Sequence, residues 1–183
     1  VIEEYNWAAA VEDADSLGVD VINSSLGYYN FDDKSMNYAY EDINGKKSAM
    51  TKIASYAAQK GMLVVTSAGN EGNDKWKYIT VPGDADSVLT VGAVDRDGYS
   101  SRFSSFGFED RDLIKPNLVA RGTIAVIATP GRYETGYNNG TSFSSPIMAG
   151  MVTSFWQAFP NYSNMEIIRN LQDHANLSNK PNN

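Results

Sequence analysis

The chain has 183 residues, 42% of them hydrophobic, a length that suits one domain with its own core and is short for two. Its net charge of −7, with no cluster of Lys and Arg, argues against a nucleic-acid-binding surface. No run of about 18 apolar residues predicts a membrane span, and the absence of cysteine excludes thiolate and disulfide chemistry within the chain.

Helix-like and strand-like segments alternate along the chain, without internal repeats. Gly18 and Gly61 follow the two helix-like segments of the first half and are typical of helix ends. The pattern predicts, in chain order, a helix over 2–17, a strand over 19–26, a helix over 48–60 and strands over 62–66, 88–94 and 123–128. A helix between two strands is the βαβ arrangement of a parallel sheet, so we predict an α/β fold.

Residues 139–150 read NGTSFSSPIMAG and carry the strongest functional signal. Pro146 lacks an N–H, so we expect it in the first turn of a helix that continues to about Ala158. Ser142 then lies at or near the helix N-terminus, where free N–H groups and the macrodipole favour developing negative charge. The alternative is that Ser142 or Thr141 is an ordinary N-cap.

A second polar segment, SAGNEG at 67–72, directly follows the apolar segment 62–66. Asn70 therefore lies at the carboxyl end of a predicted parallel strand, which is where binding sites form in such sheets. The alternative is a plain Asn-Gly turn. The presence of NGTSFSSP further along the same chain favours a site.

Three segments resemble motifs of the subtilase family of serine proteases, and they occur in the family's order. INSSLG at 22–27 resembles the substrate-binding strand, SAGNEG at 67–72 the segment with the oxyanion asparagine, and NGTSFSSP at 139–146 the nucleophile motif. The likeness extends from about Trp7 to Asn176. It implies a three-layer α/β fold with a mainly parallel sheet and flanking helices.

The resemblance also implies roles for individual residues. Ser142 would attack the scissile carbonyl to form an acyl-enzyme, and the Asn70 amide and the Ser142 backbone N–H would bind the oxyanion. A cis peptide bond is suggested at Val81-Pro82. Ser25, Leu26 and Gly27 would pair with the substrate main chain as an added strand, and Ser67, Ala68 and Gly69 would form the other side of the primary specificity pocket.

The family's Asp motif and its H-G-T motif do not occur in this sequence. The only histidine, His174, lies in a different context, and we interpret it as a solvated surface residue. We therefore expect residues 1–183 to be one truncated catalytic domain that lacks its N-terminal strands. The full-length protein would be a serine endopeptidase, and this piece alone would be inactive without the missing part of the same domain.

Two other functions remain open at this point. The chain could be an inactive binding module that holds a peptide or a pro-segment at an open sheet edge. It could also be an α/β-hydrolase, since Ser142, Asp173 and His174 follow that chain order. Two features oppose the α/β-hydrolase. Its nucleophile motif G-x-S-x-G needs a final glycine where this chain has Ser144, and the side chains of the adjacent residues Asp173 and His174 point in different directions, so they cannot easily form an acid–base pair.

The partners that the resemblance implies are a protein or peptide substrate and a pro-peptide, and it suggests a secreted or cell-envelope protein. Subtilases often bind calcium, but no residue can be assigned to a metal or to any other cofactor. We interpret the acidic residues in glycine-containing turns as solvated rather than ligating; they are Asp84, Asp86, Asp95 and Asp97.

Overall fold

The computed structural model describes residues 2–110, 113–131 and 133–176. The helices are α1 (Ile2–Ser16), α2 (Ala49–Gln59), α3 (Thr141–Ala158) and α4 (Asn164–Asp173). The strands are β1 (Val21–Ser24), β2 (Leu63–Ser67), β3 (Leu89–Val94), β4 (Leu118–Arg121), β5 (Ala125–Ala128) and β6 (Thr135–Asn138). Single 3₁₀ turns occur at Lys34–Met36 and Tyr40–Asp42.

The main sheet has four parallel strands in the order β1-β2-β3-β4. Val21 lies opposite Leu63, and Val65 lies opposite Leu89, so β2 is paired on both sides. β5 and β6 form a separate antiparallel hairpin. The predicted α/β fold is confirmed, and β1 is an edge strand among the described residues.

The two faces of the sheet bury different sets of side chains. Val64 of β2 packs with Trp7 of α1 and Met50 of α2 on one face. Its neighbours Leu63 and Val65 pack on the opposite face with residues of α3 and α4. Strand side chains alternate between faces, so one apolar strand serves both cores. The result is the expected three layers, with helices on both sides of a parallel sheet.

The two predicted helices of the first half are confirmed to within a residue or two. Ser48 caps α2, because its hydroxyl accepts hydrogen bonds from the backbone N–H groups of Met50 and Thr51. Gly18 and Gly61 both adopt positive φ, at 71° and 104°, as helix-terminating glycines do.

Several strands differ from the sequence-based expectation. The strand predicted over 19–26 is only Val21–Ser24, since β2 offers four partners to it. The strand predicted over 123–128 is β5, Ala125–Ala128, and it pairs with β6 in the antiparallel hairpin rather than with the main sheet. The pattern also missed β4, β6 and α4. The start of α4 did have a signal, a capping box between Ser163 and Glu166.

The segment 28–44 packs through its aromatic rings. Tyr29 stacks on Trp76 with ring centroids 4.4 Å apart, and the ring centroids of Tyr40 and Tyr78 are 4.5 Å apart. Tyr28 also exchanges backbone hydrogen bonds with Val81, at 3.1 Å each. This segment is therefore anchored on the loop that leads to the Val81-Pro82 peptide bond, which is cis as the resemblance suggested.

None of the helices within 2–110, 113–131 and 133–176 combines the length and hydropathy that a transmembrane span requires.

Candidate active site

Asn70 follows the carboxyl end of β2, and its side chain has a fixed orientation. Its Oδ1 accepts hydrogen bonds from the backbone N–H of Thr141 at 2.8 Å and from the Thr141 hydroxyl at 3.1 Å. Because Oδ1 is the accepting atom, Nδ2 is turned to the other side of the amide. Nδ2 donates to no partner among the described residues, so two N–H donors remain available.

The N-terminus of α3 places Ser142 beside Asn70. The N-cap of α3 is Gly140, with φ at 152°, and Thr141 and Ser142 are the first two helical residues. The alternative of an N-cap serine or threonine is therefore wrong. In the part of the chain that the structure describes, the backbone N–H of Ser142 has no acceptor. A free N–H in the first turn of a helix is suited to bind negative charge.

Thr141 joins the two segments. Its buried hydroxyl accepts a hydrogen bond from the Gly69 backbone N–H at 3.2 Å and donates to Asn70 Oδ1. Gly69 has φ at 108°, a conformation that L side chains rarely adopt, so glycine is required at this bend. Thr141 thus fixes the positions of the β2 loop and of the α3 N-terminus relative to each other.

Pro146 lies in the second turn of α3 rather than in the first, which corrects the expected helix start. A proline there leaves the carbonyl four residues earlier without its usual partner, and that carbonyl belongs to Ser142. Ser25 supplies the replacement, since its hydroxyl donates to the Ser142 carbonyl oxygen at 3.0 Å. In return, Ser142 Oγ donates to the Ser25 carbonyl oxygen at 3.2 Å.

No acid or base contacts Ser142 Oγ among residues 2–110, 113–131 and 133–176; its one hydrogen bond is to Ser25. His174 follows α4, is exposed, and contacts the Asn170 carbonyl oxygen through Nδ1 at 2.8 Å. This position agrees with its interpretation as a surface residue.

A pocket of about 250 Å³ opens beside Ser142 and Asn70. Ser25, Leu26 and Gly27 line one side of it, as the resemblance implied. Of the three residues expected on the other side, Ser67 and Gly69 line the pocket, but Ala68 does not. Ala68 is fully buried and packs in the core with α1 and α2.

Three further residues line the pocket and were not singled out from the sequence: Tyr28, Glu71 and Thr80. Glu71 lies within the SAGNEG motif, so its place next to Asn70 was a usable signal. Thr80 had none, because tertiary contacts bring it to this pocket: its backbone N–H donates to the Ala68 carbonyl oxygen at 3.3 Å, and its neighbour Val81 pairs with Tyr28.

One of the four acidic residues considered for calcium differs from its interpretation. Asp84 was interpreted as solvated, but it is fully buried. Its carboxylate accepts hydrogen bonds from the Thr51 hydroxyl at 2.6 Å and from the Gly45 backbone N–H at 2.8 Å. Burial raises the pKa of Asp84 despite these bonds. Within the described ranges, no three His, Asp or Glu side chains converge as a metal site would require.

Lys115 lies near Asp84 and is also buried. Its Nζ lies within 3.0 Å of four oxygens, which belong to Ala85, Val88, Thr90 and Asn117. Burial lowers the pKa of Lys115 to about 7, while the carboxylates of Asp84 and Asp86 act in the opposite direction. We call Lys115, Asp84 and their hydrogen-bonding partners the Lys115 cluster.

The family model of the subtilase family matches residues 1–183. The chain belongs to the subtilase family. This membership rules out the α/β-hydrolase alternative, because that class has a different fold and motif order.

Individual subtilases resemble the chain at moderate identity. Subtilisin NAT of Bacillus subtilis subsp. natto is 29% identical over 174 residues, which cover 94% of this chain and 40% of the relative. The epidermin leader peptide-processing serine protease EpiP of Staphylococcus epidermidis is 27% identical, over 80% of this chain and 40% of its own length. The chain thus spans about 40% of these two curated relatives.

Solved subtilase structures have the same fold. The self-cleaved protease domain of PatA has a TM-score of 0.73 at 24% identity, covering 97% of this chain and 62% of that one. Sphericase has a TM-score of 0.71 at 24% identity, covering 94% of this chain and 55% of its own. The three-layer parallel fold is therefore the subtilase fold.

Proposed function

We propose that the full-length protein containing this chain is a serine endopeptidase in which Ser142 is the nucleophile and Asn70 an oxyanion donor. The observation that carries this proposal is the convergence of both residues on one pocket. Thr141 holds the Asn70 amide so that Nδ2 is free, and the Ser142 N–H is free as well. Family membership supports the same reaction class.

In the proposed reaction, Ser142 Oγ attacks the scissile carbonyl carbon and its proton passes to a base. The carbonyl oxygen becomes an oxyanion, which accepts hydrogen bonds from Asn70 Nδ2 and from the Ser142 backbone N–H. The C–N bond then breaks, the amine leaves with that proton, and an acyl-serine remains. A water molecule attacks the acyl carbon and gives its proton to the base, the bond between that carbon and Ser142 Oγ breaks, and Oγ takes the proton back from the base as the carboxylic acid product leaves.

The base and its acidic partner are proposed to come from residues of the same domain outside this chain. Two features support a missing strand at β1. β1 is an edge strand, and a groove of about 260 Å³ runs between it and α1. Its apolar walls include Trp7, Val11 and Ile22. Trp7 and Val11 are already buried and Ile22 is partly buried, so an added strand would complete the cover of Ile22 and satisfy the open edge. This chain alone is then expected to be inactive.

We further propose that substrate main chain pairs with residues 25–27 as an added strand, and that Ser67 and Gly69 form the other side of the primary specificity pocket. The substrate is a protein or peptide. Family membership supports two further proposals. The protein is secreted or attached to the cell envelope, and a pro-peptide occupies the substrate site before activation.

The test is hydrolysis of denatured protein by the full-length protein and its variants. Ser142→Ala is expected to reduce hydrolysis to background, because it removes the proposed nucleophile. Ser154→Ala on the exposed side of the same helix is the matched control and is expected to leave the rate unchanged. Full hydrolysis by Ser142→Ala contradicts the proposal. Peptide binding without cleavage by the unsubstituted protein supports the binding-module alternative instead.

A further inference from the structure

Side-chain hydrogen bonds connect the first turns of α3 to the end of β1 and return to α3. The buried Ser145 hydroxyl donates to Asn23 Oδ1 at 2.7 Å. Asn23 Nδ2 donates to the Ser25 hydroxyl at 3.4 Å, and that hydroxyl donates to the Ser142 carbonyl oxygen at 3.0 Å. We call Ser145, Asn23 and Ser25 the capping network. Its three bonds run in one direction and end at the residue that carries the proposed nucleophile.

The network determines where the proton of the Ser25 hydroxyl points. The Asn23 amide accepts through Oδ1 and donates through Nδ2, so the Ser145 bond to Oδ1 turns Nδ2 toward Ser25. A serine hydroxyl has a single proton, and an oxygen that accepts from Nδ2 directs that proton to a different acceptor. The acceptor here is the Ser142 carbonyl oxygen.

Pro146 is the reason why this carbonyl needs a side-chain donor. Inside a helix, the N–H four residues later normally donates to each carbonyl, and the proline inside α3 has no N–H to give to Ser142. Ser142 is half-buried, so a carbonyl without a donor would tilt toward solvent. The same residue carries the nucleophilic Oγ and an oxyanion N–H, and a small displacement of such groups costs turnover.

Ser25 contacts the nucleophile at a second point. Its backbone carbonyl oxygen accepts the hydrogen bond from Ser142 Oγ at 3.2 Å. Ser25 also lines the pocket, at the start of the segment 25–27 that we propose to pair with substrate. One residue therefore joins the substrate-binding segment to both the carbonyl and the hydroxyl of Ser142.

We propose that the capping network positions Ser142 for attack, and that the Ser25 hydroxyl replaces the backbone donor that Pro146 lacks. This inference rests on the proposed function. The side chains of Ser25 and Asn23 act on the reaction through Ser142, so both are positioning residues. Their substitution should lower kcat and leave KM nearly unchanged, because the main chain that pairs with substrate is retained.

The first test measures kcat and KM of the full-length protein on one peptide substrate. Ser25→Ala is expected to lower kcat about five- to tenfold, the size of effect of one lost hydrogen bond, with KM within about twofold. Asn23→Ala should lower kcat less, by about two- to threefold, because it removes only the orientation of the Ser25 hydroxyl. The double variant should lose no more than Ser25→Ala alone, since Asn23 acts through that hydroxyl.

The second test repeats Ser25→Ala in a Pro146→Ala background. Alanine restores the backbone N–H that donates to the Ser142 carbonyl, so Ser25→Ala should now lower kcat by less than about twofold. Ser154→Ala is the matched control, because it removes a hydroxyl that donates to the Gly150 carbonyl of the same helix, where the backbone donor is present. It should leave kcat unchanged in both backgrounds.

The outcomes separate this inference from the proposed function. An equal loss of kcat from Ser25→Ala in the two backgrounds overturns the inference, and so does a change confined to KM. If Ser25→Ala does not fold, the exposed Asn23→Ala decides in its place, since its loss should also disappear with Pro146→Ala. Additive losses from Asn23→Ala and Ser25→Ala would exclude Asn23 from the network. If the unsubstituted protein cleaves no peptide, or Ser142→Ala cleaves it fully, the proposed function fails and this inference fails with it.

Discussion

Two polar regions of this molecule use their hydrogen-bonding groups in opposite ways. In the Lys115 cluster, Lys115 Nζ has four oxygen partners, and the Asp84 carboxylate accepts from Thr51 and Gly45. Around Ser142, by contrast, Asn70 Nδ2, Thr80 Oγ1 and the Ser142 N–H have no partner among the described residues.

The difference separates stability from function. A buried cluster in which the polar groups are paired holds its loops in one arrangement. Removal of one partner from such a cluster lowers the stability of the fold strongly. A site with unpaired donors at fixed positions costs stability and gains the capacity to bind charge that develops during a reaction. Substitutions in the first region should therefore affect unfolding, and substitutions in the second should affect turnover.

The largest expected effect is on stability. Lys115→Met should lower the free energy of unfolding by about 3–5 kcal/mol, because it leaves buried oxygens and the nearby Asp84 carboxylate without their cation. Chemical denaturation followed by circular dichroism measures this. Lys52→Met on the exposed side of α2 is the control and should change stability by less than about 0.5 kcal/mol. Equal stability of the two variants would refute a structural role for Lys115.

The next effect is on turnover. Asn70→Ala in the full-length protein should lower kcat about 10²–10³-fold, a magnitude established for the corresponding donor in subtilisin and carried over here. Unfolding should change little, since the side chain is exposed. Asn73→Ala, in the same loop and also exposed, is the matched control. A kcat within threefold of the unsubstituted protein would show that Asn70 is not an oxyanion donor.

A pH dependence of stability follows from the Lys115 cluster. The pKa of Lys115 is lowered from 10.5 to about 7 in the folded chain, so between these values the unfolded state binds more protons. The free energy of unfolding should therefore rise with pH in this window, by roughly 1.5 kcal/mol from pH 7 to pH 8.5. Lys115→Met should lack this rise. An identical pH profile in both proteins would contradict the assignment.

A smaller effect is expected at Thr141, a buried and hydrogen-bonded residue that lies directly beside the unpaired donors of the Ser142 site. Thr141→Val keeps the shape of the side chain but removes the hydroxyl that holds Asn70 and accepts from Gly69. We expect kcat to fall about five- to tenfold, which corresponds to about 1–1.4 kcal/mol. Thr141→Ser restores the hydroxyl and should restore most of the rate. If serine fails to rescue, Thr141 acts through packing alone and does not position Asn70.

The sequence predicted the components of the site better than their arrangement. Asn70 and Ser142 could be selected because each lies beside a local signal, Asn70 after a buried strand and Ser142 shortly before Pro146, and because their motifs occur in the order of the family. The Ser25 bond to the Ser142 carbonyl could not be predicted, because it joins residues 117 positions apart in the chain. For the same reason Thr80 was missed: it reaches the pocket only through tertiary contacts.

The errors in the fold have similar causes. A short apolar run such as 123–128 predicts a strand, which is confirmed as β5, but it has no property that distinguishes a parallel strand from a hairpin strand. Asp84 was interpreted as solvated because acidic residues in turns usually are. Only its tertiary partners Thr51 and Gly45, distant in sequence, show that the carboxylate is buried and paired.

The most direct measurement of the central claim is labelling of the full-length protein with a fluorophosphonate, followed by peptide mapping. The account predicts one labelled peptide, modified at Ser142, and no labelling of Ser142→Ala, while Ser154→Ala is labelled normally. Labelling at another residue, or labelling that persists in Ser142→Ala, would contradict the assignment of Ser142 as the nucleophile.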